Sequence, residues 1–286
     1  MISPGLLTTV QDLGRPGYAH LGISASGAAD ALSLRAGNLL VGNAEGAAAL
    51  EMTLAGGTFE FESAAVAAIT GADFEASIPL WTAVSLKPGA QVRCGHARSG
   101  ARSYLCVAGG IDVPLVLGSA STHLLTGLGG VEGRALKRGD KLRVGRTRSR
   151  PLWGAKRRAH GAQPVIRVTA PANAYALCGV AWQVQEDSDR MGLRLRGPAI
   201  EPHTGHMLTE GVPLGAVQAP PDGQPIILFV EHQTTGGYPK IANVISADFH
   251  SLGQLRPRDE VRFEQISMDA ALTLLRAQED WLHALV

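Results

Sequence analysis

The sequence is short of cysteine, of net charge and of long hydrophobic runs, and each shortage excludes a class of protein. The three cysteines are an odd number without a CxxC pair, which fits neither a disulfide framework nor a zinc site. A net charge of +1 supplies too little excess cation to neutralise a nucleic-acid backbone. No segment approaches the roughly 20 apolar residues needed to cross a bilayer. These absences predict a reduced, cytoplasmic chain that binds neither nucleic acid nor membrane.

Several catalytic motifs are also missing. There is no GxxxxGK[ST] phosphate loop, no HExxH metalloprotease motif and no GxSxG nucleophile elbow. His203 and His206 form an HxxH pair, but they lie in a stretch rich in proline and glycine with no third ligand beside them. The sequence therefore predicts no metal site.

Glycine and proline are abundant, with 35 and 16 residues, and they fall between short apolar runs. This distribution is typical of a β structure with many turns. Helices are few: one is predicted from a cap at Ser26 to the pair Gly42 and Asn43, one from about Ser267, and a short one after Ser246. The predicted strands cover residues 58–61, 65–70, 83–86, 103–108, 165–169 and 226–230.

One local pattern occurs three times, at residues 86–94, 136–144 and 255–263. Each copy is a turn followed by an alternating strand in which apolar residues flank an arginine. The third copy lies in the other half of the chain and suggests two related β domains. Hydrophobic periodicity lapses between residues 147 and 164, which predicts an N-terminal domain at 1–155 and a C-terminal domain at 160–286.

Candidate binding residues of the N-terminal half lie in two segments. Gln11, Asp12 and Arg15 belong to a glycine-punctuated loop that can hold a small anion, although Asp12 and Arg15 can equally bond to each other and to turn backbone. Ser26 and Asp30 come before the first helix, where unpaired N–H groups attract anions. A carboxylate at Asp30 can instead complement the helix dipole.

The C-terminal half has a second group of candidates. Arg190, in the run Ser188–Asp189–Arg190, can clamp a carboxylate or phosphate, unless Asp189 neutralises it. Gln218 follows a strand and can both donate to and accept from an amide or ureido group. Paired glycines in residues 233–240 let the backbone approach a ligand closely, with a polar hairpin turn as the alternative interpretation. The candidates in that segment are Gln233, Thr234, Thr235, Gly236, Gly237, Tyr238 and Lys240.

Seven stretches, taken in order, resemble the allophanate hydrolase subunit 2 family. Its members include the C subunit of bacterial 5-oxoprolinase, KipA-type proteins and the corresponding part of the carboxyltransferase domain of urea carboxylase. The resemblance implies a mainly β fold of two cyclophilin-like β-barrel domains with a few helices, and a site shared between the barrels. The stretches are residues 5–18, 26–43, 69–73, 109–112, 188–192, 215–221 and 233–245.

The resemblance implies a subunit of a bacterial 5-oxoprolinase, a complex that opens 5-oxoproline to glutamate at the expense of ATP, with the chain inactive when alone. Its partners would be an allophanate hydrolase subunit 1 (KipI-like) protein and a LamB/YcsF-type subunit, and ATP with Mg²⁺ would serve the complex. Biotin is not carried by this chain, which has no Met-Lys-Met attachment motif. Two alternatives stay open: a biotin-dependent carboxyltransferase subunit for a urea- or amide-type substrate, and a non-enzymatic KipA-like regulator of a KipI-like partner.

The same resemblance assigns roles to the candidates. Arg190 and Lys240 would bind anionic groups, while Gln218, Thr235 and Tyr238 would orient the amide and stabilise charge on its oxygen. The sequence departs from the family pattern at three places. They are Glu231-His232 in place of an Asp-Arg pair, Gly37 in place of Ala, and Arg258 in a turn that often carries Gly.

Overall fold

The computed structural model describes residues 1–146, 151–152, 165–170, 176–201 and 208–285. These residues are mainly β with three α-helices, and the chain divides into two compact units. The predicted domain boundary between 155 and 160 and the HxxH histidines lie outside the described residues, so both stay predictions. The first unit comprises Met1–Arg15, Ser26–Arg158 and Trp281–Val286, and the second comprises Pro16–Ala25 and Ala159–Asp280.

The first unit is built on a five-stranded antiparallel sheet. Burial does not alternate along its central strands, because both faces of the sheet are covered there. The strand order is β1 (Leu7–Gln11), β2 (Ala49–Thr53), β7 (Ser99–Val107), β4 (Ala65–Asp73) and β5 (Val84–Leu86). Two further ribbons pair β3 (Thr58–Glu60) with β6 (Gln91–Arg93), and β8 (Ile111–Asp112) with β9 (Arg143–Val144).

This sheet is open, whereas the sequence predicted a barrel in each half of the chain. No described strand closes the sheet beyond β1. Instead Thr122 donates its N–H to the Val10 carbonyl, and Leu136 donates to the Thr8 carbonyl, from a segment that contains many glycines with positive φ. Left-handed glycines interrupt an extended backbone, so the segment follows the edge of β1 without becoming a strand.

Helix α1 (Ala31–Leu40) begins later than the sequence predicted. Its N-cap is Asp30, whose carboxylate accepts from the Ser33 N–H at 2.9 Å and from the Ser33 hydroxyl at 2.6 Å. Ser26, the predicted cap, lies upstream with a left-handed φ of 55°. The prediction of Ser26 as cap was therefore wrong, and Asp30 performs that role.

Gly37 marks the closest approach of α1 to the sheet. A Cβ at this position would lie 2.6 Å from Cys106 Sγ and 2.7 Å from Thr70 Oγ1. The packing therefore explains why glycine replaces the usual alanine of the family. The Cys106 thiol and the Thr70 hydroxyl fill the space that the methyl group of alanine needs. Also in this unit, Trp281 packs edge to face on Trp81 with ring centroids 6.4 Å apart.

The second unit contains a closed seven-stranded barrel, which confirms a mainly β chain with a barrel domain. Trp182, Phe229 and Ile166 are almost completely buried within this unit. The barrel order is β10 (Val165–Thr169), β17 (Lys240–Val244), β14 (Ala216–Gln218), β15 (Ile226–Leu228), β12 (Gly192–Arg196), β11 (Ala181–Val184) and β18 (Glu260–Gln265), which returns to β10. The remaining elements are a ribbon of β13 (Glu210–Gly211) with β16 (Thr235–Gly236), helix α2 (Phe249–Leu252), and helix α3 (Met268–His283) as far as Asp280.

The three repeated turns share one backbone geometry. Gly89, Gly139 and Arg258 occupy the third position of the turn with φ of 81°, 91° and 73°. A type II turn requires positive φ at this position, which favours glycine. Arg258 therefore adopts a left-handed conformation that its side chain disfavours. The closing hydrogen bonds run from Ala90 to Lys87, Asp140 to Lys137 and Asp259 to Arg256, at 3.0, 3.1 and 3.1 Å.

We expect Arg258→Gly to be more stable than Arg258→Ala by about 1 kcal/mol, because only glycine relieves the left-handed strain. Both substitutions remove the exposed ion pair between Arg258 and Glu186, which is 2.5 Å long, so that loss cancels in the comparison. Urea unfolding of the two variants measures the difference. Equal midpoints would contradict the strain.

Candidate functional site

Gln218 is the buried centre of a polar cluster in the second unit. It ends β14, where the register with β17 shifts between Val217 and Gln218, and such a bulge redirects a side chain. Gln218 Nε2 donates to the Tyr238 carbonyl at 3.3 Å, and Gln218 Oε1 accepts from Gln233 Nε2 at 3.5 Å. The structure therefore brings together two predicted carboxamides and the backbone of a third candidate.

The paired glycines have different environments. A Cβ at Gly236 would lie 2.6 Å from Gln218 Nε2, whereas one at Gly237 would meet nothing closer than 3.9 Å. Only Gly236 is therefore required for close approach. Thr235 lies on the β13–β16 ribbon and is exposed. Thr234 comes directly before β16, and its carbonyl accepts from the backbone of Val212 at 3.1 Å. In the described part of the chain β16 pairs with β13, and β17 pairs with β10 and β14, so the strands of this segment do not form the hairpin of the alternative interpretation.

Lys240 begins β17 and lies opposite Gln218 in the barrel register. Its ammonium group is 3.4 Å from Glu210 Oε1, and the two side chains are 29% and 45% exposed. Tyr238 is about half exposed. The partly exposed ammonium group of Lys240 and the phenol of Tyr238 thus lie on the same segment as Gln233.

Arg190 is held by a buried ion pair. Arg190 Nε is 2.6 Å from Glu231 Oε1, and the side chains are only 10% and 6% exposed. The Glu231 N–H also donates to the Arg190 carbonyl at 2.8 Å. Asp189 does not take this role, because its carboxylate accepts from the N–H groups of Met191 and Gly192 at 2.8 and 3.1 Å. The suggestion that Asp189 neutralises Arg190 was wrong, and Glu231 does so.

Ser188 and Asp189 lie in the turn between β11 and β12. Ser188 Oγ accepts from the Arg194 N–H at 3.0 Å, so both side chains stabilise the turn. Asp189 also lines a cleft of about 630 Å³ together with Gln218, Gln233 and Tyr238. Among the described candidates of this unit, Arg190 and Lys240 are not lining residues of that cleft.

Asp12 in the first unit is surrounded by hydrogen-bond donors. Its carboxylate accepts from the Gly14 and Ala120 N–H groups at 2.8 and 2.6 Å, and from the Ser119 and Ser121 hydroxyls at 2.6 and 2.5 Å. Arg15 donates to the Ser121 carbonyl. The backbone contacts agree with the part of the alternative in which both side chains bond to backbone.

The Gln11 side chain is only partly satisfied by hydrogen bonds among the described residues. Its Nε2 donates to Thr9 Oγ1 and to the Thr122 carbonyl, each at 3.0 Å, and Ser26 Oγ donates to the same carbonyl at 3.4 Å. Gln11 Oε1 is buried and has no hydrogen-bond partner among the described residues. A buried acceptor left unpaired costs about 1–3 kcal/mol, so this oxygen is a candidate ligand contact.

A sequence model described as the carboxyltransferase domain, subdomain A and B, matches residues 21–265. The chain belongs to this carboxyltransferase-domain family. The chain is similar to the 5-oxoprolinase C subunit of Escherichia coli (strain K12), with 42% identity over 100% of this chain and 96% of the relative. It is also similar to urea amidolyase of Saccharomyces cerevisiae, with 31% identity over 96% of this chain but 17% of that relative.

Solved structures place the carboxyltransferase domain within longer chains. The Kluyveromyces lactis urea amidolyase superposes with a TM-score of 0.91 and 29% identity over 100% of this chain and 20% of that chain. The crystal structure of TTHA0988 gives a TM-score of 0.83 and 36% identity over 92% of this chain. The present chain spans about half of that protein, 54%.

Sequence reasoning missed a buried network at the start of α1 in this carboxyltransferase domain. The Tyr104 hydroxyl donates to Glu51 Oε2 and accepts from the Asp30 N–H, both at 2.7 Å. Glu51 also accepts from the Ala29 N–H at 2.8 Å. Burial, followed by the charges of Glu51 and Asp30, raises the pKa of Tyr104 well above its ordinary value. A carboxylate in the apolar run Ala-Leu-Glu-Met was the available signal.

Neither metal clusters nor membrane spans occur in the described part of this carboxyltransferase domain. Its residues form no group of three or more His, Cys, Asp or Glu side chains that could hold a metal ion. None of its described helices is both long enough and apolar enough to span a bilayer.

His232, the second residue of the Glu231-His232 departure, predicts a pH effect. Burial lowers its pKa below 6.5, against the opposing hydrogen bond to the Gln233 carbonyl at 2.6 Å. His232 of the unfolded chain binds a proton more readily than His232 of the folded chain. The free energy of unfolding should therefore fall as the pH drops below about 6.5. We expect His232→Gln to flatten this part of the curve of unfolding free energy against pH, measured by urea unfolding. Parallel curves for the two proteins would contradict the prediction.

Proposed function

We propose that this chain is the C subunit of a bacterial 5-oxoprolinase, which opens 5-oxoproline to glutamate at the expense of ATP. The observation that carries the proposal is the 42% identity to the Escherichia coli protein across 100% of this chain and 96% of that relative. The corresponding Haemophilus influenzae protein supports it with 39% identity over 96% of this chain. Agreement over the full length of a relative favours a shared role more than a match to one domain of a larger enzyme.

The polar cluster of the second unit is suited to such a substrate. 5-Oxoproline carries a lactam and a carboxylate, so its site needs amide-complementary groups and a cation. Gln233 and Gln218 offer carboxamides around a cleft, and Lys240 offers an accessible ammonium group on the same segment. In the proposed site the hydrogen-bonded pair of Gln218 and Gln233, together with Tyr238, acts on the amide, while Lys240 attracts the carboxylate.

The proposal extends to the rest of the assembly. A KipI-like subunit and a LamB/YcsF-type subunit would complete the enzyme, with ATP and Mg²⁺ bound at the level of the complex. Gln11 is the first-unit candidate with the best support, since its buried Oε1 lacks a partner among the described residues. Asp12 and Asp30 would maintain the loop and the helix start that surround it.

Reconstitution tests the proposal. We expect the chain, mixed with its KipI-like and LamB/YcsF-type partners, to release glutamate from 5-oxoproline only when ATP and Mg²⁺ are present. Omission of this chain should abolish release, and the chain alone should be inactive. A well-formed complex that releases no glutamate would overturn the proposal.

A biotin-dependent carboxyltransferase subunit is the second candidate. It is favoured by the carboxyltransferase-domain match at residues 21–265 and by the urea amidolyase relatives. The discriminating experiment supplies a separate carboxylated biotin carrier with urea and follows loss of the carboxyl group from the carrier. Transfer would support this candidate. Binding of a KipI-like partner without either reaction would instead indicate a regulator.

A further inference from the structure

We infer that Gln218 is a positioning residue that orients the carboxamide of Gln233, so that Gln233 Oε1 accepts a hydrogen bond from the N–H of a lactam, amide or ureido ligand. The inference rests on the proposed function for the choice of a lactam. It changes the role assigned to Gln218, from a group that touches substrate to one that acts through Gln233.

The orientation begins at the Tyr238 carbonyl. A carbonyl oxygen only accepts hydrogen bonds, so the group that faces it across 3.3 Å must be the Gln218 NH₂. The Gln218 carboxamide is planar, and its Oε1 is therefore directed to the other side, where Gln233 lies at 3.5 Å. The Tyr238 carbonyl thus fixes which side of the Gln218 carboxamide carries the NH₂ group and which carries the oxygen.

The second step follows from the first. Because Gln218 Oε1 can only accept, Gln233 must present its NH₂ group, and its Nε2 donates to Gln218 Oε1. The Gln233 side chain lines the cleft and is exposed. Its Oε1 is left as an acceptor, and a ligand in the cleft must supply a donor to pair with it. At 3.5 Å the contact between the two glutamines is long, and such bonds shorten when a ligand binds.

Burial assigns Gln218 to positioning rather than contact. Gln218 is 1% exposed, in contrast to the exposed Gln233. Gly236 allows the backbone of the ribbon to lie directly over Gln218, since a Cβ there would be 2.6 Å from Nε2. A side chain enclosed in this way is poorly placed to follow a ligand, but it is well placed to hold a neighbour in one orientation.

The chemistry sets the ligand class. An unsubstituted lactam, a primary amide and a ureido group all present N–H to Gln233 Oε1. An N-methylated lactam of nearly the same shape presents a methyl group instead, which leaves the acceptor unpaired. The structure therefore predicts discrimination by the N–H group, independent of any carboxylate on the ligand.

The test titrates the isotope-labelled full chain with 2-pyrrolidone and with N-methyl-2-pyrrolidone, and follows the side-chain NH₂ signals of glutamine by NMR. We expect the wild-type chain to bind 2-pyrrolidone about 10-fold more tightly, the equivalent of one hydrogen bond. Gln218→Leu should reduce this preference to near unity, and Gly236→Ala should reduce it similarly by displacing Gln218. Cooperative unfolding of both variants checks that they fold.

Gln224→Leu is the matched control. Gln224 lines the same cleft, but its carboxamide bonds to the backbone of Gly197 at 2.9 and 3.3 Å, away from Gln233. We expect this variant to keep the wild-type preference for 2-pyrrolidone. If the loss of any glutamine from the cleft weakened the preference, this variant would lose it too. A Gln218→Leu chain that retains the preference overturns the inference, as does a wild-type chain that binds both lactams equally or binds neither.

The titration uses neither ATP nor other subunits, so it can reject the orientation of Gln233 independently of the proposed function. A complex that does not hydrolyse 5-oxoproline, paired with a chain that prefers the N–H lactam, would reject the proposed function and retain the orientation of Gln233. An active complex with no N–H preference in the chain would reject the orientation alone.

Discussion

Glu231→Gln should lower the free energy of unfolding by about 3–5 kcal/mol, the largest stability effect that we expect from a single substitution in this chain. The reason is the burial of the ion pair with Arg190, whose side chains are 10% and 6% exposed. Neutralising Glu231 leaves a guanidinium charge in a site that water hardly reaches. Guanidinium chloride or urea unfolding measures the loss.

The control for this substitution is Glu186→Gln. Glu186 pairs with Arg258 at 2.5 Å, but the two side chains are 66% and 78% exposed, so its loss should cost less than about 1 kcal/mol, the ordinary limit for an exposed pair. The double variant Arg190→Met with Glu231→Leu should recover most of the stability, because apolar side chains can replace a buried pair. Similar losses for Glu231→Gln and Glu186→Gln would contradict the importance of burial.

The double variant also separates two roles for Arg190. If Arg190 serves only to pair with Glu231, the refolded double variant should support normal turnover in the reconstituted complex. If Arg190 clamps the substrate, turnover should fall even though stability is restored. Burial favours the first outcome, since the Arg190 side chain is only 10% exposed and is paired with Glu231 at 2.6 Å.

Local patterns in the sequence predicted the three α-helices and about half of the described strands. The strand at 165–169 agrees with β10 (Val165–Thr169), and the helix from about Ser267 agrees with α3 (Met268–His283), because both have clear periodicity. The cap of α1 was misplaced because Ser26 and Asp30 are both good capping residues, and only the backbone distinguishes them. Whether the first sheet closes into a barrel could not be predicted. It depends on whether the glycine-rich segment beside β1 adopts the extended backbone of a strand.

The candidate site was predictable as a set of side chains but not as a network. Gln218 and Gln233 were chosen for their chemistry, yet their mutual orientation depends on a bulge in β14 and on the absence of a side chain at Gly236. Likewise Arg190 and Glu231 are 41 positions apart in the sequence, so no local pattern joins them. Closure of the barrel creates the Gln218–Gln233 and Arg190–Glu231 contacts. Glu231, which departs from the family pattern, is therefore the partner of Arg190 in an ion pair.

Lys240→Ala should reduce kcat/KM of the reconstituted complex for 5-oxoproline about 50-fold, the cost of one charged hydrogen bond of ~2.3 kcal/mol. The loss should appear mainly in KM, because a carboxylate that does not react is bound equally in the ground and transition states. Stability should change by less than about 1 kcal/mol, since the pair with Glu210 is partly exposed and 3.4 Å long.

Lys141→Ala is the matched control for Lys240, because Lys141 also forms an exposed ion pair, 2.9 Å from Glu62, and belongs to the other unit. It should leave kcat/KM unchanged. Lys240→Arg should recover part of the affinity, as it keeps the charge while changing the donor geometry. Glu210→Gln should not impair turnover, since it removes only the competitor for the ammonium group. A Lys240→Ala variant that loses stability and activity in equal measure, or that keeps full activity, would show that this lysine serves the β13–β17 contact and not the substrate.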